Sequence, residues 1–326
     1  MTISKFNISP ISKNVVDSII KFSNDYNILI NFIPSRRQID VSTGYVNNWT
    51  TKEFYEYIKS KSNLVKITRD HSGPNQGENK DDGYNSLKED CKFMDTIHID
   101  PWKEYTDFYD GLNETIKMIN FCYNLNFNLN YEIASEESIR KFTVNELDEL
   151  VSTLSQKLDS EVFNKIKYLV IQSGTSLKEN LQTGNYDQNR LIEMLNLCNK
   201  FKLISKEHNG DYIPIDIINE KFNLGLESIN IAPEFGMIET ETYLSEINDD
   251  KIFELFWEIC YQSKKWVKWV DSTFDPFLNK KQLIRICGHY ILSNEDFISK
   301  IKNNIENIDN KIKFNIDKKL KLLHGY

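Results

Sequence analysis

The sequence has little that would mark a disulfide scaffold, a zinc ribbon or a membrane protein. Five cysteines occur in 326 residues, Cys91, Cys122, Cys198, Cys260 and Cys287, and none forms a CxxC pair. So scattered a set builds neither a disulfide framework nor a Cys-ligated zinc site. We read them as reduced thiols of a cytoplasmic protein. No apolar run approaches the length of a membrane span. The N-terminus, MTISKFNISP, lacks a charged segment followed by an apolar one, so no secretory signal is expected. Basic residues do not predominate: 40 Lys and Arg stand against 48 Asp and Glu, a net charge of −8. That excludes the broad positive footprint of a nucleic-acid binder. A small anionic substrate stays open, because local lysines and helix N-termini can outweigh net charge. Internal repeats, low-complexity linkers, GxGxxG turns and Walker A loops are all absent.

What is present is enough apolar material for a sizeable core: 40% hydrophobic residues, with 12% aromatic. Disorder as a class is thereby excluded. Short β-rich runs alternate with helical patterns. The runs are KFNIS (5–9), ILINFIP (28–34), LVKIT (64–68), TIHID (96–100), LNYEIA (129–134), YLVIQ (168–172), FKLIS (201–205) and ESINIA (227–232). Between them, apolar residues recur at helical spacing, as in Val15, Val16, Ile19, Ile20 and Phe22. Repeats of about 25 to 40 residues from strand to strand are those of βα units. Eight such units predict a (β/α)₈ TIM barrel over residues 1–245; an open doubly wound sheet is the competing arrangement. Beyond residue 245 the strands stop. Helices are expected over 252–269, 281–292 and 295–323, as a helical C-terminal extension (246–326) packed on the barrel. GPNQGENKDDG (73–83) reads as a flexible loop leaving the third strand over the active-site face.

In a barrel of this kind, polar strand ends read as functional and apolar strand middles as core. Here the third strand ends Arg69-Asp70-His71, the fourth passes through His98 to Asp100, and the fifth reaches Glu132. The sixth ends Gln172-Ser173-Gly174, the seventh Lys206-Glu207-His208, and the eighth reaches Asn230, with Glu234 just beyond. His71, Glu132 and His208, with His98 as a fourth candidate, offer the imidazole and carboxylate ligands a divalent metal needs. Zinc is the first choice, with manganese, cobalt and nickel as alternatives. Asp70 or Asp100 would be the general acid/base. Each residue has a plainer explanation. A strand-end histidine can be a hydrogen-bonded scaffold residue, Asp100 before Pro101 a turn former, and Glu132 the partner of Lys206 or Arg69. Ser173-Gly174 and Gly73-Pro74 are either loop punctuation or backbone cradles for a phosphate.

The motifs resemble those of the non-catalytic subunit family of class II tagatose-bisphosphate aldolase, relatives of the zinc-dependent class II aldolases. DHSGPN (70–75) is similar to the family's DHLGPN, and IHID (97–100) to its IHLD. SRRQIDVSTGY (35–45) with Thr50 resembles SNQV…GGYTGMT, VIQSG (170–174) resembles VVQPG, and EHNGDY (207–212) resembles EAHSTDY. Glu132 falls where the GTEV glutamate does, and APE (232–234) on VGPALTF. The resemblance implies a class II aldolase-like barrel, Asp70 as the acid/base, and His71 and His208 as metal ligands with Glu132 nearby. Gln172 stands where class II aldolases proper carry a further metal histidine, as it does in the subunit family. Arg36-Arg37 and Glu234 also depart from the family and imply a different substrate, with an extra anionic group facing the arginines. Gln38, Arg69, Asn75, Gln172, Ser173, Gly174, Lys206 and Asn230 complete the expected substrate contacts.

Three functions are compatible with these residues. The first is a metal-dependent aldolase or epimerase acting on a ketose phosphate. The second is a non-catalytic subunit that binds and stabilises a separate class II aldolase; a homo-oligomer is the other assembly left open. The third is a phosphoenolpyruvate-dependent sugar-phosphate synthase, for which Arg36, Arg37, Arg69 and Lys206 would form the phosphate cluster.

Overall fold

In a computed structural model that describes residues 3–178 and 181–326, eight parallel strands close into a barrel. They are β1 (Phe6–Ile8), β2 (Ile30–Phe32), β3 (Val65–Ser72), β4 (Thr96–Ile99), β5 (Asn130–Ile133), β6 (Ile166–Ile171), β9 (Ile204–Glu207) and β10 (Ser228–Ile231). A two-stranded antiparallel sheet, β7 (Leu177–Lys178) and β8 (Leu181–Gln182), interrupts the connection after β6. The open-sheet alternative is excluded, because β1 pairs with both β2 and β10.

Local signals account for the connecting helices. Thr50 with Glu53, and Thr143 with Glu146, form capping boxes at the starts of the helices Thr51–Lys59 and Val144–Lys157. Asn27 and Gly225 take the left-handed conformation that ends a helix and turns the chain toward the next strand.

The strands alternate, but not as apolar middle and polar end. Ile8, Ile67, Ile97, Ile133, Ile171 and Ile231 are buried against the helices. The barrel interior is polar. At its N-terminal end, Asn31 Nδ2 donates to Asn7 Oδ1 (3.0 Å) and Thr68 Oγ1 (2.9 Å), and Asn7 Nδ2 donates to Ser228 Oγ (2.7 Å). This hydrogen-bonded floor lies beneath the charged layer described below. A chain of hydrogen-bond partners from Thr68 through Asn31 and Asn7 to Ser228 is what lets so polar an interior be buried.

The C-terminal extension is helical but more broken than its periodicity implies. The helix expected over 252–269 ends at Ser263, where Lys264 turns left-handed (φ 56°), and resumes as a 3₁₀ turn at Val267–Trp269. The one over 281–292 is α-helical only at Lys280–Cys287. There Gly288 leads into a 3₁₀ turn, lying so close to Thr240 that a Cβ would approach its Cγ2 to 2.8 Å. The one over 295–323 divides into Glu295–Lys300 and Ile308–His324, separated by Asn307 at φ 58°. Ile308–His324 packs against the first helix, Lys13–Tyr26, and the helix after β10, Pro233–Glu246, with Asn14 donating to both Asp309 and Glu239. No helix among the described residues is long and apolar enough to cross a membrane.

Candidate active site

β3 carries the feature that organises the site. Regular alternation would turn Asp70 inward and His71 outward. Instead His71 takes φ 49°, and the β3–β4 register shifts between Arg69 and Ser72. The left-handed residue lets two consecutive side chains face the axis. His98 projects inward from β4, and Lys206 and His208 from β9 and its end. The ligand-capable atoms of Asp70, His71, His98 and His208 all lie within 4.8 Å of one another. The three imidazole centroids form a near-equilateral triangle with sides of 4.9, 5.1 and 5.2 Å.

Each imidazole has one nitrogen held by a protein acceptor. His71 Nδ1 lies 2.6 Å from Asp100 Oδ2, His98 Nε2 lies 2.9 Å from the Ala134 carbonyl, and His208 Nε2 lies 2.8 Å from Glu132 Oε1. The other nitrogens of His71 and His98 stand 3.7 Å from the two oxygens of Asp70. Such an outer acceptor fixes tautomer and ring orientation in histidines that bind metals. Asp70 Oδ1 is buried without a hydrogen-bond partner, so the centre holds an acceptor that the protein does not satisfy. Asp70, Asp100 and Glu132 face one fixed cation, Lys206, so the cluster demands positive charge. That demand shows in the titration of the groups. Burial alone would lower the pKa of His71, but Asp70 and Asp100 push it up to about 10. Burial opposes ionisation of Asp70 too, yet His71, His98 and His208 together hold it well below the usual carboxylate range. These donors and this charge fit a divalent cation bound through nitrogen and oxygen.

Asp100 and Glu132 are occupied differently from Asp70. Asp100 is fully buried and receives His71, the Ser135 hydroxyl (2.9 Å), the Trp102 amide (3.3 Å) and Gln76 Nε2 (3.4 Å). Glu132 is held by Lys206 Nζ at 2.6 Å and by His208, which is the ion-pair explanation for its burial. Glu132 is accordingly not among the four residues whose ligand atoms converge; His98 is.

Several expected substrate contacts are directed elsewhere. Arg69 points outward, with no solvent exposure, and bonds Asp90, the Pro34 and Ile39 carbonyls and Thr51. Strand alternation sends it opposite to Asp70. Arg36 forks onto Asp81 (2.8 and 2.5 Å) and bonds the Gly73 carbonyl, pinning the 73–83 loop. Gln38 binds Ser9 and Tyr45, and Asn75 binds Glu104. Gln172 clamps the connection after β5, donating to Ser135 O and Arg140 O. Ser173 is tied to Glu207 and Lys221 on the outer face. Gly174 (φ 90°) abuts the Asn185 carbonyl. Glu234 pairs with Lys319 of the last helix and accepts from the Tyr212 amide, because the first turn of Pro233–Glu246 faces the extension rather than the axis. The cluster of Arg36, Arg37, Arg69 and Lys206 does not assemble, since Arg36, Arg69 and Lys206 are each paired with a different carboxylate. Asn230 does face the interior, buried, with both amide atoms unpartnered. Sequence reasoning missed Ser135 and Gln76, which brace Asp100. Both are polar residues just past strand ends, and that position was their only signal.

The class these features define is a closed α/β barrel with a histidine–carboxylate centre at the C-terminal ends of its strands. No protein-family model matches the chain, and no curated protein sequence does either. Solved structures do share its fold. A probable tagatose 6 phosphate kinase from Sinorhizobium meliloti 1021 aligns over 99% of both chains, with 12% identity and a TM-score of 0.76. The fructuronate-tagaturonate epimerase UxaE from Cohnella laeviribosi aligns over 99% of this chain and 81% of its own, with 10% identity and a TM-score of 0.65. The YdjI aldolase from Escherichia coli K12 aligns over 98% and 91%, with 12% identity and a TM-score of 0.58. At such identities the likeness is one of fold.

Proposed function

We propose that this chain is a cytoplasmic, metal-assisted enzyme of the aldolase or epimerase type acting on a ketose phosphate. The barrel (1–245) would carry the chemistry and the extension (246–326) would close over its rim. The observation that carries this reading is the triangle of imidazoles, each with one nitrogen held from behind, around an unsatisfied Asp70 oxygen. A fold shared with an aldolase and an epimerase supports it.

In this reading His71 and His208 would hold the metal, with His98 as a third ligand once its Nδ1 gives up the His71 amide; zinc comes first, with manganese, cobalt or nickel as alternatives. The bound metal would polarise the ketose carbonyl and stabilise the enediolate that retro-aldol cleavage and epimerisation share. Asp70, whose Oδ1 no protein group satisfies, takes the substrate proton and returns it. Asp100 and Glu132 are positioning residues, which set the rings of His71 and His208. Asn230 offers an amide to a substrate oxygen.

A non-catalytic subunit is the second reading. It is favoured by a groove of about 980 Å³ between Pro233–Glu246 and Ile308–His324, bordered by the exposed Phe314, Leu322 and Tyr326, where a partner aldolase could sit. Elemental analysis of the purified chain separates the two. Near-stoichiometric metal, lost in the His71→Ala/His208→Ala variant, supports the enzyme and directs a ketose-phosphate screen. A parent that takes up no metal, even when incubated with these ions, overturns it.

A further inference from the structure

A second charged cluster lies on the same rim, outside the histidine centre. Arg37 follows β2, and its guanidinium makes one long contact, Nε to the Gly77 carbonyl at 3.4 Å. Lys268 belongs to the 3₁₀ turn of the extension. Its ammonium lies over the Trp269 ring at 4.6 Å and the Tyr290 ring at 5.3 Å. Among the described residues, neither Arg37 nor Lys268 has a carboxylate within ion-pair distance. Together with Lys264, Lys265 and Tyr45 they line a cleft of about 290 Å³ in which Glu78, paired to Lys265, is the one acidic side chain. Four cations against one carboxylate is an odd local balance in a chain whose net charge is −8. Cations gathered in a concave site without counter-charges raise the local concentration of anions.

We propose that this cleft binds the phosphate group of the substrate, so that the C-terminal extension completes the active site. The identity of the phosphate's owner rests on the ketose-phosphate reading above; the anion site itself does not. Two uncompensated cations match a phosphate dianion better than a single carboxylate charge. Tyr45 adds a donor. Its oxygen accepts from Gln38 Nε2 at 3.0 Å, which leaves its own proton free for the cleft. Lys268 is lowered to about 8 by its surroundings of protein and by the charges of Arg37 and Lys265, a repulsion that a bound anion would relieve. The cleft is also linked to the centre through the loop after β3. Gln76 donates to Asp100, which holds His71, while the next two residues, Gly77 and Glu78, contact Arg37 and Lys265. Three consecutive residues thus contact both groups of side chains. The volume is ample for a phosphate and the carbons that carry it.

The test is calorimetric titration of the full chain, with and without added zinc, using inorganic phosphate and, separately, acetate. The variants are Arg37→Gln, Lys268→Gln and Lys268→Arg, with Lys318→Gln in the distant groove as control. Thermal unfolding checks that each is folded. Phosphate should bind the parent and Lys318→Gln alike. It should weaken about tenfold or more in Arg37→Gln and Lys268→Gln, the size expected for losing a charged hydrogen bond. Lys268→Arg should retain it. A parent that does not bind phosphate, a loss equal to that in Lys318→Gln, or acetate binding as tightly as phosphate would each overturn the proposal. The titration needs neither metal nor turnover. Loss of the phosphate result with metal binding intact therefore removes this inference alone, and the converse removes the enzyme reading alone.

Discussion

Asp70 and His71 are neighbours in sequence and both turn into the barrel mouth, His71 Nε2 standing 3.7 Å from Asp70 Oδ2. The left-handed backbone at His71 makes this possible. A non-glycine residue at positive φ costs of order 1 kcal/mol or more and persists where the surroundings enforce it. Here the Asp100 contact and the His98 ring, which accepts the His71 amide at 3.2 Å, enforce it. Backbone strain of this kind is in keeping with a working centre.

The first prediction concerns Asp70. Asp70→Asn keeps the shape and one acceptor oxygen but cannot take a proton. If Asp70 is the base and the three histidines hold the metal, kcat falls by about 10²- to 10⁴-fold. Metal content should stay near that of the parent. Parallel rate and elemental measurements on the variant check this. Loss of the metal along with the rate would instead place Asp70 among the ligands.

The second concerns Lys206 and Glu132, an ion pair at 2.6 Å with both side chains essentially inaccessible. Lys206→Met leaves Glu132 buried with His208 as its remaining partner. Breaking a buried pair from one side costs about 3–5 kcal/mol. Glu132→Gln in the same chain should recover part of that, because the amide can still accept from His208 and no bare charge remains. Urea unfolding of the two single variants and the double variant gives the coupling. Costs that simply add would show that the pair is not coupled.

The barrel was legible because its outward strand faces are apolar. Ile8, Ile67, Ile97 and Ile231 give each strand a β-rich signature between helical patterns. The floor of Asn7, Asn31 and Thr68 was not legible. A polar residue within a strand looks the same whether its partners sit in the next strand or in solvent. At the site, imidazoles and carboxylates inside strands stand out, since burying them without partners is expensive. Direction is what the residues alone conceal. Arg69 and Asp70 are adjacent and both charged, yet one supports the helices and the other faces the axis. The breaks in the extension come from single left-handed residues such as Lys264 and Asn307, which apolar periodicity does not register.

The last prediction concerns Asp211, which ties the connection after β9 to the start of Pro233–Glu246. Its Oδ1 accepts from the Ala232 and Glu234 amides, both at 2.8 Å, while Oδ2 is buried without a partner. Burial, and then the charge of Glu234, raise its pKa to about 8 against the pull of those amides. In the unfolded chain an aspartate titrates near ~3.9. Between about pH 4 and pH 8 the unfolded state has therefore released a proton that the folded state still holds, and stability falls as pH rises through that window. Above about pH 8 both states are ionised and this contribution levels off; below about pH 4 both are protonated and it is flat. Asp211→Asn keeps the oxygen that accepts both amides and has no proton to release. Its stability relative to the parent should therefore rise from pH 4 to pH 8, by up to about 1.4 kcal/mol per unit at the steepest. Urea unfolding of both proteins at three values across that range measures the difference. Parallel profiles would mean that Asp211 is already ionised in the fold, and that the amides at the helix start outweigh both its burial and Glu234.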